Sequence, residues 1–268
     1  MITTSKEKSS EGINKGKILY LILYLFAGIL ICWSVQVIVF EETDWQRMGG
    51  VREMFITLLR YFPPDFSILP ELIKPTIETF MIAVLGTSLA VILSIPVSLF
   101  AALNITPSIM FAYPLGRAIM TISRSIHEIV WALLFVAVLG LGALPGIMAI
   151  GMRSIGFLSK LTAETIEDID IRPIEAIRST GAGKIQVIRY AIIPQILPIY
   201  IGNLIFQWDI NVRRASIMGI VGAGGLGLAF QRQMSNYNYA GVTTVILCII
   251  IMVIIGEFVS AIIRKNII

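Results

Sequence analysis

Two groups of residues in this chain have types and spacing that perform chemistry in other proteins. The stretch VGAGGLGLAF, from Val221 to Phe230, sets Gly222, Gly224 and Gly227 at the spacing G-x-G-x-x-G, the fingerprint of a loop that cradles a dinucleotide. That use needs a buried strand before the glycines, a helix after them and an acidic residue about 20 positions on to hold the ribose. The preceding residues are QWDINVRRASIMGI, and no Asp or Glu stands between Asp209 and Glu257, so the cofactor reading fails on context and no cofactor is expected. The second group is Arg124, His127 and Glu128, at i, i+3 and i+4 and therefore on one face if a single helix runs through them. An Arg124–Glu128 pair would neutralise itself, which suits a gate or a helix brace better than a free anion site. His127 is the only histidine and no cysteine or carboxylate cluster completes a ligand set, so no metal is expected. No nucleophile and base pair is visible, and the chain is not expected to be an enzyme.

The elements that position these residues are membrane helices. Hydrophobic residues make up 56% of the 268 and charged ones 14%, against about 25% in soluble domains, and the mean hydropathy is +0.85. The apolar residues fall in blocks of roughly twenty, long enough to cross about 30 Å of hydrocarbon. A net charge of +4 with no basic stripe gives no nucleic-acid surface; the basic residues serve orientation instead. Cys32 and Cys248 stand far apart inside apolar blocks, in neither disulfide nor zinc spacing. The expected class is an all-α membrane protein.

A polar leader, residues 1–17, carries Lys6, Lys8, Lys15 and Lys17 and is assigned to the cytoplasm. The first span, 18–40, is too long for a signal-peptide core and ends in FEETDW rather than at a cleavage site. Segment 41–75 has Glu41, Glu42, Asp44, Glu53, Asp65 and Glu71 against Arg47, Arg52, Arg60 and Lys74; without a basic excess it suits the outer face. Further spans are expected at Phe80–Leu103 (interrupted by Pro96), Ala118–Leu139, Ala143–Leu161, Ile192–Ile210 and Val242–Ile263. A polar stretch with helix-forming character lies between Thr162 and Tyr190, and the tail 264–268 brings Arg264 and Lys265 to the cytoplasm. Six crossings then leave both termini inside.

Arg153, Arg213 and Arg214 fall in or at the end of spans with no obvious local acid. Two uses are open to Arg213 and Arg214: steering an anion into a pathway, or snorkelling to headgroups. Two are likewise open to Gly222, Gly224, Gly225 and Gly227. They break a helix so that bare N–H groups face an anion, or they let helices pack closely. Both place that segment inside the protein, because bare backbone is not tolerated against lipid.

The polar stretch contains EAIRSTGAGKIQVIRYAIIP, from Glu175 to Pro194. It resembles the EAA loop of permease subunits in bacterial ATP-binding cassette importers: E-A-A, three residues, Gly, nine residues, then I-x-L-P. Glu175, Ala176, Gly181 and Pro194 fit; Ile177, Ala191 and Ile193 depart conservatively. RSIHEIVWALLFV, from Arg124 to Val136, is similar to the subgroup importing phosphonates and related phosphorus oxyanions, and GIVGAGGLG, from Gly219 to Gly227, is shared with methionine-type permeases. The resemblance covers about 76–263 and implies the type I importer fold, with about six transmembrane helices and a cytoplasmic coupling helix. By itself the loop reads as a short helix along the membrane face with a glycine turn and Pro194 opening the next span; a solvated amphipathic connector is the plainer alternative.

What the resemblance implies is a permease in the bacterial inner membrane, carrying phosphonate, phosphite or phosphate. Glu175, Ala176, Gly181 and Pro194 would couple to a cytoplasmic ATPase dimer. An extracytoplasmic phosphonate-binding protein would deliver cargo to a path built with a second copy of this permease. Arg124, His127, Glu128, Arg213, Arg214 and the glycines at 222, 224, 225 and 227 are the candidates for that path or its gate. No Walker A pattern occurs, so ATP hydrolysis is expected on a separate subunit. The competing class is a proton- or ion-coupled transporter acting alone, with Arg124, His127 and Glu128 as a relay. Against it, no second broken helix occupies the matching place in an inverted half.

Overall fold

The computed structural model describes residues 8–43 and 49–267, and the elements among them are helical. Lys6, Asp44 and Arg47, which bear on the orientation above, lie outside the described residues. The chain divides into two units, residues 1–58 and 59–268. The first contains α1 (Lys8–Val35), which continues into a π-helical stretch, Gln36–Glu42, and most of α2 (Val51–Leu59). From Ile18 onward the apolar side chains of α1 are exposed, as a lipid-facing helix requires.

The second unit is a helical bundle. Its elements are α3 (Leu69–Ala101), α4 (Ala112–Ser125), α5 (Glu128–Leu139), α6 (Ala143–Glu167), α7 (Ile171–Ser179), α8 (Lys184–Val187), α9 (Ile193–Met218), α10 (Gly225–Ser235) and α11 (Tyr239–Ile267). Among the described residues four helical stretches are long and apolar enough to cross a membrane: Lys17–Glu42, Phe66–Ala101, Ile185–Val221 and Tyr239–Lys265. The expected span Ala118–Leu139 is instead a broken pair, α4 and α5, meeting at 93°. Ile126 and His127 are extended there, which ends α4 at Ser125. The expected span Ala143–Leu161 is α6, which runs to Glu167 and stays out of the apolar set because it carries Arg153, Lys160, Glu164 and Glu167. Helix α3 begins at Leu69, well before Phe80, and α9 continues past Ile210 to Met218 because its Asp209 and Arg213 pair with each other instead of ending it.

Helices α3 and α6 form the centre. Every third or fourth residue of α3 on one face is small: Thr79, Ala83, Gly86, Thr87, Ala90, Ser94, Ser98 and Ala101, all buried. Lipid tails are as apolar as leucine, so helices in a bilayer associate by close packing, and small residues permit it. A Cβ on Gly86 would stand 2.8 Å from Ile150 Cγ2, and one on Gly156 would stand 2.8 Å from the carbonyl oxygen of Met120 in α4.

Between α3, α6 and α9 lies a buried polar knot. Asn211 Nδ2 donates to Thr87 Oγ1 at 2.9 Å and to Ser154 Oγ at 3.0 Å, and Gln207 Nε2 donates to Ser154 Oγ at 2.9 Å and Asn211 Oδ1 at 3.0 Å. Asn211 and Gln207 are 0% and 1% exposed, so water cannot replace a lost partner. The expected outcome of Asn211→Leu is a loss of about 1–3 kcal/mol, since Ser154 and Gln207 would each lose the acceptor that Asn211 Oδ1 gives them in a buried site. It reads out as a lower midpoint for loss of the monodisperse peak on heating in detergent; an unchanged midpoint would show that the knot contributes nothing.

Candidate functional site

The break between α4 and α5 places a carboxylate deep in the bundle. His127 caps α5, its Nδ1 accepting the Ile129 N–H at 3.3 Å, and Glu128 follows as the first helical residue, 8% exposed. Two arginines from other helices converge on it. Arg214 Nε of α9 lies 3.1 Å from Glu128 Oε1, and Arg153 Nε of α6 lies 3.5 Å from Oε2, with His127 Nε2 at 3.7 Å. Arg153 Nη1 also donates to the carbonyl oxygen of Arg124. The Glu128 Oε2 atom accepts no hydrogen bond, and the buried indole N–H of Trp131, one turn further along α5, has none either.

This geometry corrects three expectations. Arg124 and Glu128 do not share a helical face, because the chain turns between them, and Arg124 contributes its backbone carbonyl rather than its guanidinium. Arg153 and Arg214, which have no acid nearby in sequence, find Glu128 in space. Arg213 has a local acid after all: Asp209, four residues earlier, whose Oδ2 sits 2.5 Å from its Nη2. That pair borders a cleft of 570 Å³ between α9 and α11, also lined by Glu257, Ser260, Arg264 and Lys265. In a low-dielectric interior such charges are expensive unless paired, so convergence of α5, α6 and α9 on one carboxylate is the arrangement the cost predicts.

The glycine segment closes one end of the bundle. A short 3-10 turn, Gly219–Val221, ends in Gly222 at φ +88°, and Gly224 and Gly225 also have positive φ before α10 begins. Residues 222–227 are buried. The Leu226 N–H donates to Thr79 Oγ1 of α3 at 2.7 Å, and the Gly142 N–H to the Gly222 carbonyl at 3.0 Å. A Cβ on Gly224 would stand 2.6 Å from Glu78 Oε1, and one on Gly219 would collide with the Gly224 carbonyl oxygen. These contacts place the glycine segment inside the protein, as both uses open to it require.

At the opposite end stands the ledge formed by α7. Ile174 of α7 is buried with Val187 and Ala191, against Ile169, Ile177, Ala182 and Ile192, while Ile171 stays exposed. Glu175 and Ala176 face outward, Gly181 turns at φ +81°, and Pro194 lies in the first turn of α9 after a π-helical turn, Ile188–Ile192. Gln195 ties the pieces together. It accepts the Asp170 N–H at 3.0 Å and donates to the Ala191 carbonyl at 2.9 Å, joining the start of α7 to the start of α9. Behind the ledge, Glu167 at the end of α6 accepts from Arg117 Nη2 at 2.8 Å and from the Leu103 N–H at 2.9 Å, while Arg117 Nε reaches the Ala101 carbonyl at 3.0 Å. Sequence reading missed Gln195 and the Arg117–Glu167 clamp. The bonds that join separate elements reach 16 to 64 residues along the chain, and the only signal was position, Gln195 beside Pro194 and Glu167 at the end of a span.

Comparison with known proteins follows from this geometry. A family model described as "Binding-protein-dependent transport system inner membrane component" matches residues 12–268. The chain is 34% identical over 238 residues to a phosphite transport system permease protein, PtxC, of Stutzerimonas stutzeri, covering 89% of this chain and 85% of that protein. It is 35% identical over 240 residues to a phosphate-import permease protein, PhnE, of Mycolicibacterium smegmatis, covering 89% of this chain and 44% of that one. Among solved structures it resembles an inward-facing MetNI methionine ABC transporter, with TM-score 0.62 and 23% identity over 76% of this chain and 99% of that chain. That likeness establishes the type I importer fold.

The side chain of Asp170 caps α7, accepting the Arg172 N–H at 3.0 Å and pairing with Arg172 Nη2 at 2.6 Å. These bonds to Arg172 hold the Asp170 carboxyl below its ordinary range and the Arg172 guanidinium above its own. A carboxyl lowered on folding contributes stability above its unfolded value and loses it as pH falls through the folded value. The cap is therefore expected to persist at neutral pH and to be lost only below the usual Asp range. Asp170→Ala is expected to speed amide exchange across Ile171–Ser179 at neutral pH without changing exchange in α3; equal exchange in both proteins would remove the capping role.

Proposed function

The chain belongs to the family of inner membrane components of binding-protein-dependent transport systems, and on that premise we propose that it carries a phosphonate or a related phosphorus oxyanion, phosphite or phosphate, through an ATP-driven importer. It is a membrane-spanning permease subunit. The cargo reading draws on its relatives, named for phosphite and phosphate, and on the arginines that converge at the α4–α5 break. In this reading Glu128, Arg153, Arg213 and Arg214 line the path, His127 and Arg124 shape its bend, and Gly222, Gly224, Gly225 and Gly227 brace its end. Two copies of the chain form the path in the bacterial inner membrane, with N- and C-termini in the cytoplasm. An extracytoplasmic binding protein delivers the anion, and a pair of separate ATPase subunits supplies the energy.

The observation that carries the coupling is the exposed ledge of α7. A short helix anchored through Ile174, with Ile171, Glu175 and Ala176 turned outward, has the form of a part gripped from outside. Gly181 gives the elbow its bend, and a Cβ there would meet nothing within 4 Å, so a substitution strains the backbone without clashing. The family membership supports this reading over a transporter acting without an ATPase.

Purification in mild detergent is expected to bring down an ATPase and a solute-binding protein, and proteoliposomes with all components to take up phosphite or phosphate only with ATP. Gly181→Val costs about 1–2 kcal/mol at a left-handed position. It is expected to lower both ATPase retention and uptake, while Gly181→Asn, which tolerates positive φ, retains most of both. Uptake by the chain alone on an ion gradient, or full retention and uptake in Gly181→Val, would overturn the assignment.

A further inference from the structure

The charge cluster at the α4–α5 break is unbalanced and loosely bonded. Two guanidiniums, Arg153 and Arg214, face one carboxylate, Glu128, since the acid nearest Arg213 is already taken up by that residue. A net positive charge at a partly buried site, where the Arg153 and Arg214 side chains are 26% and 25% exposed, attracts an anion. The contact itself is an ion pair without good hydrogen bonds: Oε2 of Glu128 accepts none, and Arg153 stands 3.5 Å from it. Arginine forks bind carboxylates and phosphate-like oxyanions most strongly when two parallel N–H bonds form, and neither arginine achieves that here. Among the described residues the unused buried donors include the indole N–H of Trp131, one turn beyond Glu128 on α5. The amides at the start of α5 are not among them. Ile129 N–H is held by the His127 ring, and Val130 and Trp131 N–H by the His127 carbonyl.

We infer that Glu128 is an internal stand-in for cargo: between transport events its carboxylate occupies the Arg153–Arg214 pair, and a phosphorus oxyanion entering the path displaces it. This rests on the cargo reading above. A carboxylate and a phosphonate both present oxygens about one bond angle apart to a guanidinium fork, so one replaces the other on the same donors. A tetrahedral oxyanion has a further oxygen to offer the second arginine. The device solves two problems at once. It keeps the arginines from standing bare in the membrane, and it makes release possible, because the returning carboxylate competes the cargo off.

The test uses the complete importer with its ATPase, without binding protein, in a phosphate-free detergent, titrated with radiolabelled inorganic phosphate and with phosphite by calorimetry. Glu128→Gln removes the competing charge and keeps the shape; it is expected to bind phosphate about tenfold more tightly than the natural chain. Glu128→Asp keeps the charge but withdraws it by one methylene, and is expected to fall between the two. Adding Arg214→Gln to Glu128→Gln is expected to abolish the gain. The inference is overturned if particles that retain the ATPase bind phosphate no more tightly with Gln or Asp at position 128. It is equally overturned if the gain survives Arg214→Gln. That failure is distinct from failure of the cargo reading, which shows as absence of phosphorus oxyanion uptake by the natural chain with all its partners.

Discussion

One carboxylate fixes the geometry on which the rest depends. Glu128 is reached by Arg153 of α6 and Arg214 of α9 while belonging to α5. A charged group inside a membrane protein is costly and stays only where partners are brought to it. Here the partners cannot be on its own helix, because the chain turns through 93° at Ile126 and His127. The bend and the cluster therefore explain each other. Without the bend Glu128 would lie one turn above Arg124 on a straight helix; with it, the acid enters a space that two other helices border.

The surrounding bundle is built so that three helices arrive at that point reproducibly. Small residues on α3 let α6 approach closely, and the Asn211, Gln207, Ser154 and Thr87 knot fixes the rotation of α9 against both. Ser154 is adjacent in sequence to Arg153, and Asn211 lies one turn before Arg214, so the uncharged knot positions the charged cluster beside it. Hydrogen bonds between membrane helices are individually modest, about 0.6 kcal/mol on average. Their effect here is directional: they admit one register of α9 against α6, and hence one placement of Arg214.

Much of this was legible in the sequence, for identifiable reasons. Long apolar blocks announce membrane helices regardless of partners, and Glu175, Ala176, Gly181 and Pro194 sit at local spacing that a short helix, a turn and a new helix require. The glycines of 222–227 declared a break by composition alone. What stayed hidden was decided by contacts across the fold. A helical wheel pairs Arg124 with Glu128, and only the extended backbone at Ile126 and His127 undoes that pairing. Arg153 and Arg214 looked unpaired because their acid is far away in the chain. Asp209 and Arg213 stand at ordinary helical spacing, and their pairing shows only once α9 continues as a helix past Ile210. Charges also shortened α6 and α9 on paper, since a pairing that neutralises them is invisible to hydropathy.

The two ends of the bundle are joined by α9, and this gives the proposed function a mechanical form. Gln195, in its first turns, holds the start of α7 through the Asp170 amide; Arg214, near its last turn, holds Glu128. A helix of 26 residues spans about 39 Å at 1.5 Å per residue, and α9 carries Pro198 between these two contacts. Glu167 and Arg117 meanwhile lock the neighbouring ends of α3, α4 and α6 to one another, leaving α9 as the helix that α7 grips directly. In the proposed function, a push on the ledge would reach Arg214 through α9, at the charge cluster around Glu128. A shift of Arg214 by about an ångström alters its pairing with Glu128 far more inside the bundle than it would in water, because the dielectric there screens less.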